Sequence, residues 1–307
     1  MSMQFSVIIP TRNRPFALVR CLHSFLALDF PRDQWELIVV NDGGERSFQA
    51  ISPFYREMLP LRLVTVPFAG PAAARNAGAK LATGEFLAFT DDDCQVEPDW
   101  LHAFAAGFDQ TQADAFGGRI LNNFAGNRAA EAAQHLIDFL LNFLCDAEGN
   151  ALLLLSNNVA YRRRVFEQLG GFDETFPLAA AEDFEMGYRL LAHGFRQQVW
   201  PEARVWHDHP VDGMSFLRQQ FRYGRGGYFF WKKRREAAGE GVAMKTAVSF
   251  YSAFLRSLRE SSQPFDIWVM SLAAQVAYRA GQWYQRFWAE RQLEQDAAWV
   301  GNVRLSP

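Results

Sequence analysis

The stretch "EFLAFTDDDC", residues 85–94, joins an apolar run of strand length to three consecutive carboxylates. The run is apolar on both of its alternating faces, which suits a strand covered on both sides, as in the interior of a parallel sheet. Three runs of the same kind precede it: "FSVII" (5–9), "ELIVV" (36–40) and "LRLVTV" (61–66). Between them lie "PFALVRCLHSFLAL" (15–28) and "PAAARNAGAKLA" (71–82), which have helical composition and spacing. Strand and helix in alternation predict an α/β fold with a buried, mostly parallel, Rossmann-like sheet flanked by helices. Ligands of such sheets bind outside the carboxyl ends of the strands. The polar clusters fall there: "PTRNRP" (10–15), "NDGG" (41–44) and "TDDDC" (90–94).

Outward from this core the pattern loosens. "ADAFGGRI" (113–120) and "ALLLLSNNVAYRR" (151–163) read as strands around a helical 127–146. Two further helices are stopped by glycine, one at Gly170-Gly171 and one at Gly194. After residue 210 the composition shifts to long amphipathic helices rich in arginine and aromatics. The chain therefore divides into a ligand-binding unit over 1–210 and a helical segment over 211–307. With 307 residues and 49% hydrophobic content it can bury a large core, and a net charge of −3 exerts no global pull on nucleic acid or anionic membrane. Cys21, Cys94 and Cys145 have no metal or disulfide spacing, which points to a reducing compartment. The most apolar window, "IWVMSLAAQVAY" (267–278), is bounded by Asp266 and Arg279 and is shorter than the roughly 20 residues of a membrane span. The expectation is a cytoplasmic protein without a transmembrane anchor.

The acidic clusters each have a bland and a functional reading. In an extended segment residues i and i+2 point the same way, so Asp91 and Asp93 can converge on a hard divalent cation while Asp92 turns aside. The bland alternative is a solvated turn. A phosphatase of the dehalogenase type would instead use the first aspartate as a nucleophile. Asp42 serves either a tight turn or the hydrogen bonding of a nucleotide base or ribose. Glu182 and Asp183 open a helix, where acids also favour the dipole. In "VWHDHP" (205–210), His207 and His209 gain weight because a cation needs ligands beyond two carboxylates. No dinucleotide fingerprint or P-loop pattern occurs.

Taken in order, "SVIIPTRNRP", "ELIVVNDGG", "GPAAARNAGAKLATGEFLAFTDDDC", "SNNVAYRRRVFEQLGGFDETF", "AEDFEMGYRLLAHG" and "VWHDHP" resemble the family 2 glycosyltransferases. The resemblance spans roughly residues 4–225 and implies the GT-A fold and an inverting transfer from a nucleotide-sugar donor of UDP, GDP or dTDP type. It assigns the base to Asp42, and ribose and a Mn²⁺ or Mg²⁺ ion on the donor diphosphate to Asp91 and Asp93, with Asp92 beside them. His207 becomes the metal partner and Asp183 the general base. Arg75 and Asn76 line the donor pocket, as do Pro10, Thr11 and Arg12, while Asn157, Asn158 and Glu182 face the acceptor. That acceptor is a glycan, a lipid-linked molecule or a small molecule. Asn41 and Gly44 depart from the Asp and Ser of many members, which bears on base selectivity. "QQFRY" (219–223) resembles the QxxRW element of processive synthases, but those carry transmembrane helices, so transfer of a single sugar is expected.

The residue types support this chemistry directly. A bound metal neutralises a departing diphosphate, and a carboxylate base activates a weakly nucleophilic hydroxyl. One base with no second carboxylate nucleophile implies a single displacement, hence inversion. The rivals are a catalytically silent sugar-nucleotide binding module and the phosphatase.

From Gly213 to Arg235 there is no acid, and basic residues interleave with aromatics. Such a helix either packs on the catalytic unit or meets a membrane surface peripherally; nucleic acid is not expected. "YGRGG" (223–227) reads as a flexible loop that brings Arg225 to the diphosphate.

Overall fold

The computed structural model describes residues 3–44, 52–146, 148–176, 180–208, 211–236, 246–261 and 263–303, with side chains described as far as residue 289 and not at Ser52. Strands β1 (Phe5–Thr11), β2 (Trp35–Asp42), β3 (Leu61–Val66) and β4 (Phe86–Thr90) are the four apolar runs of the sequence. They pair in parallel in the order β3-β2-β1-β4. The period of two sorts their side chains between two cores. Phe5, Val7, Ile9, Leu37 and Val39 enter one core, and Ile8, Ile38 and Val40 enter the other.

Helices α1 (Pro15–Phe25) and α4 (Trp100–Gln110) close the first face through Leu18, Leu22, Phe25, Trp100 and Phe104. The short α2 (Ser52–Met58) adds Tyr55 to that core. Helices α3 (Pro71–Ala79), α6 (Arg163–Gln168) and α7 (Glu182–Ala192) close the second through Ala74, Phe166, Met186 and Leu190. Four further strands complete the sheet: β5 (Cys94–Val96), β6 (Ala115–Asn122), β7 (Asn158–Arg162) and β8 (Gln197–His207). Their order is β4-β7-β6-β8-β5, with β7 antiparallel to both neighbours and β5 antiparallel to β8. Residues 151–157, expected to be strand, make only an isolated bridge at Ala151. Of their leucines, Leu154 enters the second core and Leu155 packs against the first.

Helix α5 (Arg128–Phe143) starts at Asn127, whose side chain accepts from the Ala129 and Ala130 amides. It shares a third core with α8 (Gly213–Glu236), α9 (Ala247–Glu260) and α10 (Phe265–Val303), built around Phe139, Phe216, Phe254 and Ile267. The stretch "YGRGG" is not a loop. It lies inside α8, where its glycines let two backbones touch. A Cβ on Gly224 would lie 1.9 Å from the Tyr278 carbonyl oxygen, and one on Gly281 2.0 Å from the Phe221 carbonyl oxygen. Arg225 correspondingly turns to α10, donating to Gln285 at 2.9 Å and lying over the Tyr284 ring. The diphosphate contact expected of it is not what this side chain makes. Among the described residues, no helix is long and apolar enough to cross a membrane.

Candidate functional site

The carboxyl ends of β1, β2 and β4 open onto one bay, and the 91–93 carboxylates form its floor. This segment is a turn, closed by the Cys94 amide on the Asp91 carbonyl at 3.0 Å, so the extended geometry expected of it does not occur. Asp92 consequently points inward rather than aside. It is fully buried and accepts from the Thr11 hydroxyl at 2.6 Å and from Arg14 Nε at 3.2 Å. Burial pushes its pKa up to about 7, with Arg14 and Thr11 opposing that shift. Arg14 also reaches Asp93 at 2.7 Å. Sequence reasoning passed over Arg14. Three adjacent carboxylates demand a nearby cation, but its source becomes legible only once β1 is known to neighbour β4.

Asp93 faces His207, whose Nε2 lies 3.6 Å from Oδ1. Burial disfavours a charged imidazole, yet the hydrogen bond and charge of Asp93 outweigh it and raise the His207 pKa. The position of His207 is set by cross-strand register, since Cys94 on β5 is its direct partner on β8. It is further fixed by Asp208, whose amide donates to the Asp93 carbonyl at 2.7 Å. The Asp208 carboxylate in turn accepts from Arg20, Gln95 and Asn123. Ligand atoms of Asp93, Cys94 and His207 lie within 4.8 Å of one another. A carboxylate and an imidazole on one side of a turn fit a divalent cation such as Mn²⁺, which accepts both oxygen and nitrogen donors. His209 lies outside the described residues.

A single buried arginine ties this turn to the start of α7. Arg75, on α3, donates to Asp91 at 2.7 Å and to Glu182 at 3.2 Å. Its Nε has no hydrogen-bond partner. Burial works against its charge, but Asp91 and Glu182 more than compensate and raise its pKa. Asp183 stands beside Glu182 in the first turn of α7, after Ala181 at φ 73° in the left-handed region. Desolvation first, and the Glu182 charge second, push Asp183 up to about 7. A carboxylate that titrates near neutrality is poised to take a proton from a hydroxyl. The Tyr223 phenol of α8 lies in the field of Asp183 and Asp91, and desolvation followed by the Asp183 charge pushes its pKa up. Gln219 donates to its hydroxyl at 3.0 Å, so the "QQFRY" element borders this side of the bay.

The other sequence candidates make these contacts within the fold. Both oxygens of Asp42 accept backbone amides, from Ala69 at 2.8 Å and Gly70 at 3.0 Å, fastening the loop before α3. Pro10 is buried within β1, and Arg12 lies over the Phe68 ring, 3.7 Å from its centroid, at the rim. Asn76 sits behind the bay, clamping the 172–174 turn through the Phe172 amide and carbonyl and through Glu174. Gly171 at φ 77° makes that clamp close, since a Cβ there would sit 2.5 Å from the Asn76 oxygen. Asn158 is 1% exposed and fully engaged, accepting from Trp100 Nε1 and donating to the Arg119 and Ala203 carbonyls, each at 2.9 Å. Its neighbour Asn157 differs, because its side-chain oxygen is buried with no hydrogen-bond partner.

The pattern that describes "Glycosyl transferase family 2" matches residues 6–170, more than half of the chain, including the carboxylate turn and Arg75. The chain belongs to this family. Among relatives, it is 27% identical over 240 residues to "Probable glycosyltransferase YdaM" of Bacillus subtilis, covering 73% of this chain and 55% of that one. It is 28% identical over 231 residues to the pre-mycofactocin glycosyltransferase of Mycobacterium tuberculosis, covering 71% and 46%. The chain thus spans about half the length of these two relatives. Its fold is similar to that of the mannosyltransferase PcManGT of Pyrobaculum calidifontis, solved with GDP-Man and Mn²⁺, at a TM-score of 0.64 and 20% identity over 100% of this chain and 89% of that one. For this family 2 member the GT-A fold is therefore the observed one.

Proposed function

We propose that this chain is an inverting glycosyltransferase that moves one sugar from a nucleotide-diphosphate sugar to an acceptor hydroxyl by a single, metal-assisted displacement. The observation that supports this most directly is the Arg75 bridge between Asp91 and Glu182. It fixes the carboxylate turn at a constant reach from Asp183, as a reaction with a leaving group on one side and an incoming hydroxyl on the other requires. Asp93 and His207 would hold a divalent cation, and such a cation would supply charge neutralisation to a departing diphosphate. Asp92, locked by Thr11 and Arg14, keeps the turn rigid from behind. Asp183 takes the acceptor proton, and the unpartnered oxygen of Asn157 is free to accept from a sugar or acceptor hydroxyl.

Calorimetry of nucleoside diphosphates with Mn²⁺ and with EDTA tests this reading. Affinity should fall sharply in EDTA, and turnover of the matching nucleotide sugar should release nucleoside diphosphate. Equal affinity in both buffers, or release of inorganic phosphate alone, defeats it.

A further inference from the structure

Arg14 grips Asp92 and Asp93 unequally. Its Nε and Nη2 form a fork on Asp92, 3.2 Å from Oδ2 and 2.5 Å from Oδ1. Only Nη1 reaches Asp93, 2.7 Å from its Oδ2. Asp92 is fully buried and also accepts from the Thr11 hydroxyl at 2.6 Å, so the fork rests on a fixed carboxylate. Asp93 lies nearer the surface, and its two oxygens are divided. Oδ2 faces Arg14, while Oδ1 faces His207 Nε2 at 3.6 Å. The Arg14 side chain itself is half exposed and projects from the residue that precedes α1.

Each carboxylate of the turn thus carries an arginine before any ligand arrives: Asp91 has Arg75, and Asp92 and Asp93 share Arg14. Arg75 is buried, whereas Arg14 has room to move. A lone metal ion at Asp93 and His207 would have to share its carboxylate with a guanidinium. A doubly charged ion within about 6 Å of a guanidinium is disfavoured about tenfold even at the dielectric of water. A diphosphate changes that balance, because it brings negative charge and oxygens that guanidinium N–H groups match well. Nη1 can then exchange Asp93 for a phosphate oxygen while Nε and Nη2 keep Asp92. The buried charge of Asp92 stays paired throughout, which avoids the cost of stranding it.

We propose that Arg14 couples metal binding to donor binding: it opposes a lone cation at Asp93 and His207, and releases Asp93 to the metal when a diphosphate oxygen takes its Nη1. This inference rests on the transfer reaction proposed above and adds a donor-binding residue to it. Its consequence is cooperativity. Metal and nucleotide raise each other's affinity by the same factor, as linkage requires, and Arg14 supplies part of that factor. Removing Arg14 therefore moves two affinities in opposite directions. Damage to the fold would weaken both.

Paramagnetic resonance of free Mn²⁺ reads binding of the metal alone, and calorimetry with UDP, GDP and dTDP at saturating Mn²⁺ reads the nucleotide. Arg14→Gln should bind Mn²⁺ about tenfold more tightly than wild type when no nucleotide is present. Its affinity for the nucleoside diphosphate that wild type binds best should fall at least about tenfold, the loss of one charge-assisted hydrogen bond. Arg14→Lys keeps a cation beside Asp92 and so protects the fold, but one ammonium cannot hold both carboxylates. It should shift both affinities the same ways by smaller factors, and thermal melts show that each variant is folded. Mn²⁺ affinity that is unchanged or weaker in the folded variants overturns the proposal, and so does nucleotide affinity that stays at the wild-type value. Wild-type protein that binds none of the three nucleotides with Mn²⁺ defeats the transferase reading instead, and the Mn²⁺ titrations still decide whether Arg14 opposes the metal.

Discussion

Replacing Asp183 by Asn separates chemistry from binding at the base of the bay. Asparagine keeps the shape of the side chain and removes its capacity to take a proton. With the Asp183 pKa at about 7, about a tenth of the wild-type molecules carry the ionised base at pH 6 and about nine-tenths at pH 8. Wild-type turnover should therefore rise about ninefold across that interval, and the Asn variant should be flat and lower by about 10²–10⁴. Donor affinity should hardly change, because the base acts on the acceptor in the transition state. Stability supplies a second readout with a definite sign. The folded pKa lies above its ordinary value, so the folded state binds the proton more tightly than the unfolded chain. Wild-type stability then carries no penalty from this group below about pH 4 and a growing one as pH rises toward about 7. Asp183→Asn should melt above wild type at pH 8, with the difference closing as the pH approaches 4. The assay is nucleoside diphosphate release under saturating donor and acceptor, paired with thermal melts at both pH values. A variant whose turnover stays within roughly threefold of wild type and keeps the wild-type pH profile would refute the assignment.

Two further substitutions test the frame around this group. Arg75→Met leaves Asp91 and Glu182 without the cation between them and should cost about 3–5 kcal/mol in urea unfolding; a loss below about 1 kcal/mol would mean the bridge is not a structural tie. Asn158→Leu strands the Trp100 indole N–H and two carbonyls and should cost about 2–4 kcal/mol, with acceptor KM unchanged in the molecules that remain folded. Normal melting combined with a raised acceptor KM would return Asn158 to the acceptor side.

The parallel half of the sheet is legible in the sequence because each strand is apolar on both faces, so the signal in "FSVII" or "ELIVV" is continuous and needs no partner to interpret. The placement of Asp42 and of Asp91–Asp93 is legible for the same reason: each follows such a run. Partnerships across the sheet are not legible. That Arg14 neutralises Asp92 and Asp93 depends on β1 lying beside β4, and that His207 reaches Asp93 depends on the β5–β8 register. Asn76 and Asn158 carry the amide chemistry of a ligand site but spend it on neighbouring backbone and side-chain groups, which residue type alone does not distinguish. The glycines of "YGRGG" misled in a different way. Glycine signals either backbone freedom or the need for no side chain, and here the second applies.

That second role has a kinematic consequence. Helix α8 is held on two sides by contacts that leave no room for a side chain: Gly224 against the Tyr278 backbone of α10, and Gly226 against Ala180, where an added Cβ would lie 2.5 Å from the alanine methyl. Ala180 and the left-handed Ala181 are the two residues immediately before Glu182 and Asp183. Methyl and longer side chains normally act as compliant spacers between packed helices, rotating or shifting to absorb small displacements. None stands between α8 and α10 at Gly224, and at Gly226 only the Ala180 methyl does. A push on the outer surface of α10 therefore meets contacts with no long side chain between it and the turn that carries Asp183.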